Sequence, residues 1–354
     1  MDSNEGSVTR IVLVRHGQSD FNEQALFQGS SNKPRLTPKG WATAAQCGKY
    51  LSNIRFDAIL CSPLRRAEET AKSIASEFLQ AGRQLPPVAY DLRLREIHLP
   101  GWEGLPFSTV RERYPLAFHL WKKSPYLLEL QLHTSSLKTD SFYPLRDVCT
   151  RSKQFLEDTL SSRRGQNLLV VGHGAAISAL LCCALGISHA NIHHLQQSNG
   201  GISALEISGS KSGEARMLFV NRTQHLGEVL PKIKGDRRGI RVLLLTREYA
   251  DSVEWSALLK GRPFKFIESS GSPALGAEDF IQTVPGDLNT LAWMVPEGRL
   301  SQENIIRLRL DMWNYQELRI QRDAITVLHY PHLEEPPVLQ AMNVSASKDE
   351  LLQL

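Results

Sequence analysis

The 354-residue chain contains no Cys-x-x-C pair and no cysteine–histidine cluster at metal-ligand spacing. Neither a structural zinc site nor a dithiol redox centre is written into it, and no metal or other cofactor is expected. Its five cysteines are an odd number, and Cys182 and Cys183 are neighbours inside an apolar stretch. Such usage fits reduced, buried thiols in a cytoplasmic protein. Long basic runs are missing too. The 41 lysines and arginines are scattered and the net charge is +4, which argues against nucleic acid as a partner and leaves a small anionic substrate open. The longest apolar stretch, around Ala175 to Ile187, is too short and too broken to cross a bilayer. Residues Met1 to Gly6 are polar and acidic, unlike a secretory or transit segment, so no membrane association is expected.

What the chain does have is an alternation of strand and helix from residue 8 to about 230, the mark of an α/β sheet with crossover connections. The pattern predicts strands at residues 10–14, Phe56 to Cys61, Asn167 to Val171, Ile202 to Ile207 and Met217 to Asn221. Helices are expected from Pro38 to Leu51, opened by Thr37, and from Arg65 to Gln80. Between Pro106 and Arg146 the alternation is lost among mixed aromatic and charged residues, too long a stretch for a plain connection, and it reads as a partly helical cap.

Charged groups gather at four strand or loop ends. The run Ile11-Val12-Leu13-Val14 ends on Arg15-His16-Gly17-Gln18-Ser19, which sets a guanidinium and an imidazole at the carboxyl end of a buried strand. That pair suits binding of a phosphate oxyanion while a ring nitrogen attacks phosphorus. Ser62-Pro63-Leu64-Arg65-Arg66-Ala67-Glu68-Glu69-Thr70-Ala71 places arginines at a helix N-terminus, already favourable to anions. A loop from Leu94 to Gly104 offers Glu96, with Glu103 as a rival carboxylate, and Gly172-His173-Gly174 closes the set. Arg65 is expected to face solvent or pair with Glu69, and His98, His193 and His194 to be structural or surface residues.

These four motifs, in this order and spacing, resemble the histidine phosphatase superfamily over roughly residues 8 to 230. The resemblance implies a phosphoglycerate-mutase-like three-layer α/β/α sandwich with a mostly parallel sheet and a helical cap. It implies His16 as the nucleophile that becomes phosphohistidine, Arg15, Arg66 and His173 as phosphate ligands, and Glu96 as proton donor. Asn22 and Gly29 would line the pocket, and Gly174 joins them as a substrate-binding candidate. Phosphoryl transfer asks for positioning and charge neutralisation, which arginines and a second histidine supply without a metal.

The Gly101-Trp102-Glu103-Gly104 ending resembles the phosphatase branch, so hydrolysis of a small phosphorylated metabolite is expected, with a cofactor-dependent phosphoglycerate mutase and a regulatory pseudo-phosphatase as alternatives. Basic residues of the cap, Arg111, Arg113, Lys122, Lys123 and Arg146, are candidates to hold a substrate carboxylate, as in phosphoserine or a carboxy-sugar phosphate. The expected layout is a catalytic domain over 1–231 with its cap at about 105–147, a linker over 232–239, and a smaller, degenerate, non-catalytic α/β domain over 240–354. The two-domain layout looks most like the 2-carboxyarabinitol-1-phosphate phosphatase group. The last assignment rests on an internal echo: Arg241 to Glu248 lines up with Arg10 to Gly17, Leu318 to Leu328 with Leu195 to Leu205, and Asn289 to Met294 with Asn167 to Gly172. Packing, cap control or dimerisation would be its task, so a homodimer is among the expected assemblies.

Overall fold

The computed structural model describes residues 8–135, 138–209, 215–228, 230–233, 239–252, 255, 265–268, 290–310, 319–332 and 335–345. They form an α/β protein of two compact units. One unit runs to His193 and from Gln197 to Ala215; the other takes His194–Gln196 and the chain from Arg216 onward. Residues 234–238 of the expected linker, and Asn289 and Leu318 of the internal echo, lie outside the described residues. Among the described residues no helix is long and apolar enough to cross a membrane.

The first unit is built on β1 (Thr9–Arg15), β2 (Ala58–Cys61), β3 (Val88–Tyr90), a β4–β5 hairpin (Leu130–Ser135 and Lys138–Phe142), β6 (Asn167–Gly172) and β7 (Ile202–Ile207). Its main sheet has the order β7-β1-β6-β2-β3. β1 pairs parallel to β6 and antiparallel to β7, and β2 pairs parallel to both β6 and β3. Because β1 is covered on both faces, Val12, Leu13 and Val14 are each at most 2% exposed, which is why its sequence is an unbroken apolar run.

Between the strands come α1 (Asp20–Glu23), α2 (Pro38–Leu51), α3 (Arg65–Gln80), α4 (Phe107–Arg113), α5 (Pro115–Lys123), α6 (Pro144–Ser162) and α7 (Gly174–Leu185). Thr37 caps α2 by accepting from the Gly40 N–H, with Pro38 in the first turn where its missing donor costs nothing. Every residue of α7 from Ala176 to Leu185 is buried, and the helix stops at Gly186 in the left-handed region, φ 67°. The cap region holds α4, α5 and the hairpin, which the sequence pattern does not anticipate. Phe27 ties the cap to its base, with ring centroids 4.5 Å from Phe107, 5.1 Å from Trp102 and 6.1 Å from Trp121.

The second unit contains β8 (Ala215–Arg222), β9 (Ile240–Leu245), β10 (Lys265–Glu268), β11 (Thr290–Met294), a small β12–β13 pair (Gly298–Arg299 and Arg319–Ile320), β14 (Ile325–Tyr330) and β15 (Val338–Val344). Its order is β10-β11-β9-β14-β15-β8. The core gathers Leu243, Leu245, Tyr249, Trp255, Ala292 and Val327. The expected strand from Met217 to Asn221 is present as β8, and it clusters with this unit.

Candidate active site

Register decides where the chemistry gathers. Arg15 lies opposite Gly172, and Cys61 opposite Val171, so β1, β6 and β2 end level with one another. One residue further, the His16 N–H donates to Gly172 O and the Ser62 N–H to Val171 O, both at 3.0 Å. His16, His173 and Ser62 therefore stand together at the carboxyl ends of three parallel strands, where open sheets hold ligands.

His16 is 1% exposed, and its Nδ1 lies 2.7 Å from Gly17 O. A carbonyl only accepts, so Nδ1 carries the proton and Nε2 keeps its lone pair. The Asn199 amide donates to the carbonyls of His16 and Gly17 at 3.1 and 3.2 Å and to Asn22 Oδ1 at 3.1 Å. Asn22 Oδ1 also accepts from the Ser19 N–H and hydroxyl, which commits its oxygen and leaves its NH2 to donate to a ligand.

His173 is fully buried, with its ring centroid 5.2 Å from that of His16. Its Nε2 lies 2.7 Å from Ser62 Oγ, and its Nδ1 is buried without a partner. An anion accepting from Nδ1 selects the tautomer in which the Ser62 hydroxyl donates to Nε2.

Two arginines frame the imidazoles. Arg15 donates to Gln197 O at 2.8 Å, and Arg66, 1% exposed, donates to the carbonyls of Ser31 and Gly29 at 2.9 Å. The Nε of each is buried without a partner. Gly29 holds φ 50°, and a Cβ there would come 2.2 Å from Glu103 Oε1, so only glycine presents its carbonyl to Arg66 in this way. Burial of the charged form, opposed by Glu96 and reinforced by Arg15, lowers Arg66 to about 10, so it stays charged at neutral pH.

Glu96 stands at the start of α7. Its carboxylate accepts from the N–H groups of Ile97, Ala175 and Ala176 at 3.0, 3.1 and 3.3 Å, the last two in the first turn of α7. A Cβ built on Gly174 would lie 3.5 Å from Arg15 Nε and 3.7 Å from Glu96 Oε2, ordinary contact distances, so the carboxylate adjoins the cationic cradle at this residue.

Desolvation, then Arg66, then Arg15 hold the His16 imidazolium well below its ordinary range; the same burial, with Arg66 next, acts on His173. Both rings are therefore neutral. The result is a buried pocket of two fixed cations, two neutral imidazoles and three unpartnered nitrogens, which asks for a multiply charged oxyanion.

The remaining candidates separate. Glu103 Oε1 is occupied by His98 Nδ1, the Ser30 N–H and the Leu99 N–H. Burial opposes its charge, but those donors outweigh it and hold the carboxyl below its usual range, so Glu103 braces two loops. Arg65 pairs with Glu69 at 3.0 Å. Arg146 is not brought to the cluster: its exposed guanidinium lies 4.2 Å from the Tyr143 ring centroid and 5.1 Å from that of Tyr126. Five residues on, about 140° around α6, Arg151 lines a cleft with Glu96, together with Ser30, Arg95, His98, Phe142 and Asp147. Arg151, Gln197 and Asn199 escape sequence reasoning; the polar run Gln196-Gln197-Ser198-Asn199 just before a buried strand is the signal that could have raised the last two.

A family model described as histidine phosphatase superfamily (branch 1) matches residues 11–219. A 2-carboxy-D-arabinitol-1-phosphatase of Triticum aestivum is 35% identical over 213 residues, covering 60% of this chain and 40% of its own. Phosphoserine phosphatase 1 of Hydrogenobacter thermophilus is 29% identical over 221 residues, covering 62% of this chain and 96% of its own. A mycobacterial glucosyl-3-phosphoglycerate phosphatase solved with inorganic phosphate is 25% identical, with a TM-score of 0.51 over 61% of this chain and 98% of its own. The chain thus spans about two fifths of the length of the plant relatives it matches.

Proposed function

Because the chain belongs to branch 1 of the histidine phosphatase superfamily, we propose that it hydrolyses small phosphate monoesters through a phosphohistidine on His16. The observation that carries this reading is the buried His16 imidazole, its Nδ1–H pinned by Gly17 O, in a cluster where Arg15, Arg66 and His173 each keep a buried, unpartnered nitrogen. In the first step Nε2 bonds to phosphorus, the ester P–O bond breaks, and the leaving oxygen takes a proton from the Glu96 carboxyl. In the second, water attacks phosphorus, gives its proton to the Glu96 carboxylate, and frees phosphate and His16. Arg15, Arg66, His173 and the Asn22 amide hold the three non-bridging oxygens, and the Gly29 carbonyl holds Arg66.

A carboxylated substrate is the finer reading. It draws on the relatives named for 2-carboxy-D-arabinitol 1-phosphate and phosphoserine, and on Arg95, Arg151 and His98 around the cleft beside Glu96. His16→Ala is expected to abolish turnover and phosphohistidine labelling from isotopically tagged ester. Retained turnover in that variant sinks the proposal. Isomerisation of 3-phosphoglycerate with little phosphate release would replace hydrolysis by the mutase reading.

We read the first unit as the three-layer sandwich. β1 to β2 to β3 step one way along the sheet through α2 and α3, whereas the return to β6 through α6 runs the other way, which right-handed crossovers send to the opposite face. The second unit reads as a reduced copy of the first. In support, β9 is flanked by a parallel β11 and an antiparallel β14, as β1 is by β6 and β7.

A further inference from the structure

We propose that Arg151 is a positioning residue for proton transfer to the leaving group, acting through the backbone that carries Glu96. The proposal rests on the reading of Glu96 as the acid. Glu96 lies in an irregular segment after a single 3-10 turn, Leu92–Leu94, so no ladder fixes its place. Arg151, in the middle of α6, reaches across to this segment. Its NH1 donates to Arg93 O at 2.7 Å and Arg95 O at 3.1 Å, and its NH2 to Glu96 O at 3.4 Å. The guanidinium is itself held by Nε donating to Asp147 Oδ2 at 2.8 Å, one turn earlier on the same helix.

The Glu96 residue is thus fixed from two sides, its carboxylate by the first turn of α7 and its main chain by Arg151. Arg151, Asp147 and Glu96 also line one cleft, and the leaving alcohol must depart on the side of the acid that protonates it. A planar fork that spans several carbonyls is something arginine does and lysine does not. Loosening it leaves the phosphate cradle of Arg15, Arg66 and His173 in place and lets the carboxyl drift from the ester oxygen, where about 1 Å matters.

The test is a leaving-group series without carboxylates, from alkyl phosphates to 4-nitrophenyl phosphate, read as kcat/KM, which reports steps through alcohol departure. A nitrophenolate leaves without a proton; an alkoxide does not. Arg151→Met is expected to lower kcat/KM for alkyl esters roughly 10- to 100-fold, and for the nitrophenyl ester under about threefold. Glu96→Gln is expected to show the same leaving-group dependence, more steeply, and the double variant to be no worse than Glu96→Gln alone. Asp147→Ala, which removes only the anchor of Arg151, should show the same selective loss in milder form and serves if Arg151→Met folds poorly. Equal losses on both ester types, or no loss on alkyl esters, overturn the role of Arg151. A Glu96→Gln enzyme without leaving-group dependence overturns the assignment of the acid itself, and the proposal with it.

Discussion

The proposed nucleophile His16 needs a neutral ring, and burial is the main force that lowers the pKa of both His16 and His173, ahead of Arg66. Removing a cation raises a neighbouring imidazole pKa, so Arg66→Gln is expected to move the acid limb of the kcat/KM–pH profile to higher pH, besides weakening phosphate binding. An acid limb that stays put would show that Arg66 does not tune His16. The same burial links the site to stability. A histidine whose pKa is lower folded than its unfolded value of about 6.5 binds fewer protons when folded. Its contribution is complete above that value and is lost as pH falls toward the folded pKa, at up to about 1.4 kcal/mol per pH unit for each ring. His173→Gln should therefore flatten the loss of stability between pH 7 and 5 in urea unfolding. An unchanged slope would mean that His173 is not the group being protonated.

Elements follow from sequence where local signals suffice. The strand ending on Arg15 and the helices Pro38–Leu51 and Arg65–Gln80 occupy the expected places, because apolar periodicity, a capping threonine and a first-turn proline act over a few residues. The Arg15, His16, Arg66 and His173 cluster was legible for the same reason: each sits at the end of a strand or the start of a helix. The Arg151 clamp and the Asn199 amide were not, since each joins segments far apart in the chain. Gly17 illustrates the difference. A glycine just past a strand end suggests a turn, yet its φ is not positive; glycine is needed because a Cβ would come 2.3 Å from Gly40 O. Reciprocally, a Cβ on Gly40 would meet Gln18 O at 2.0 Å, so the segment after β1 that carries His16 and the first turn of α2 touch backbone to backbone. Helix propensity alone says that Gly40→Ala should stabilise by about 1 kcal/mol. The clash with a main-chain oxygen, which cannot swing away, reverses the sign. A loss of about 2–3 kcal/mol in denaturant unfolding is expected, together with a fall in kcat as His16 shifts. A neutral or stabilised variant would refute the close approach.

At the scale of the whole chain, the proposed repeat makes a prediction that neither unit makes alone. The aligned residues occupy matching registers: Val12 pairs with Ala204 in the first unit, and their counterparts Leu243 and Val327 pair in the second. The β6 counterpart needs one correction. Ile11 pairs with Leu168, and Val242 with Leu291, so Leu291 stands for Leu168 and the alignment shifts by one residue, which short apolar strands cannot reveal by themselves. In this correspondence Arg247 takes the place of His16, exposed where the imidazole is buried, and Pro296 takes that of His173. A guanidinium that stays protonated has no lone pair for phosphorus, so Arg247 cannot do at its position what is proposed for His16. Label trapped from tagged substrate by alkaline quench is therefore expected to approach one phosphoryl group per chain, all of it on His16. His16→Ala should hold none. A second labelled histidine, or label surviving in that variant, would show that the unit beyond residue 240 has chemistry of its own.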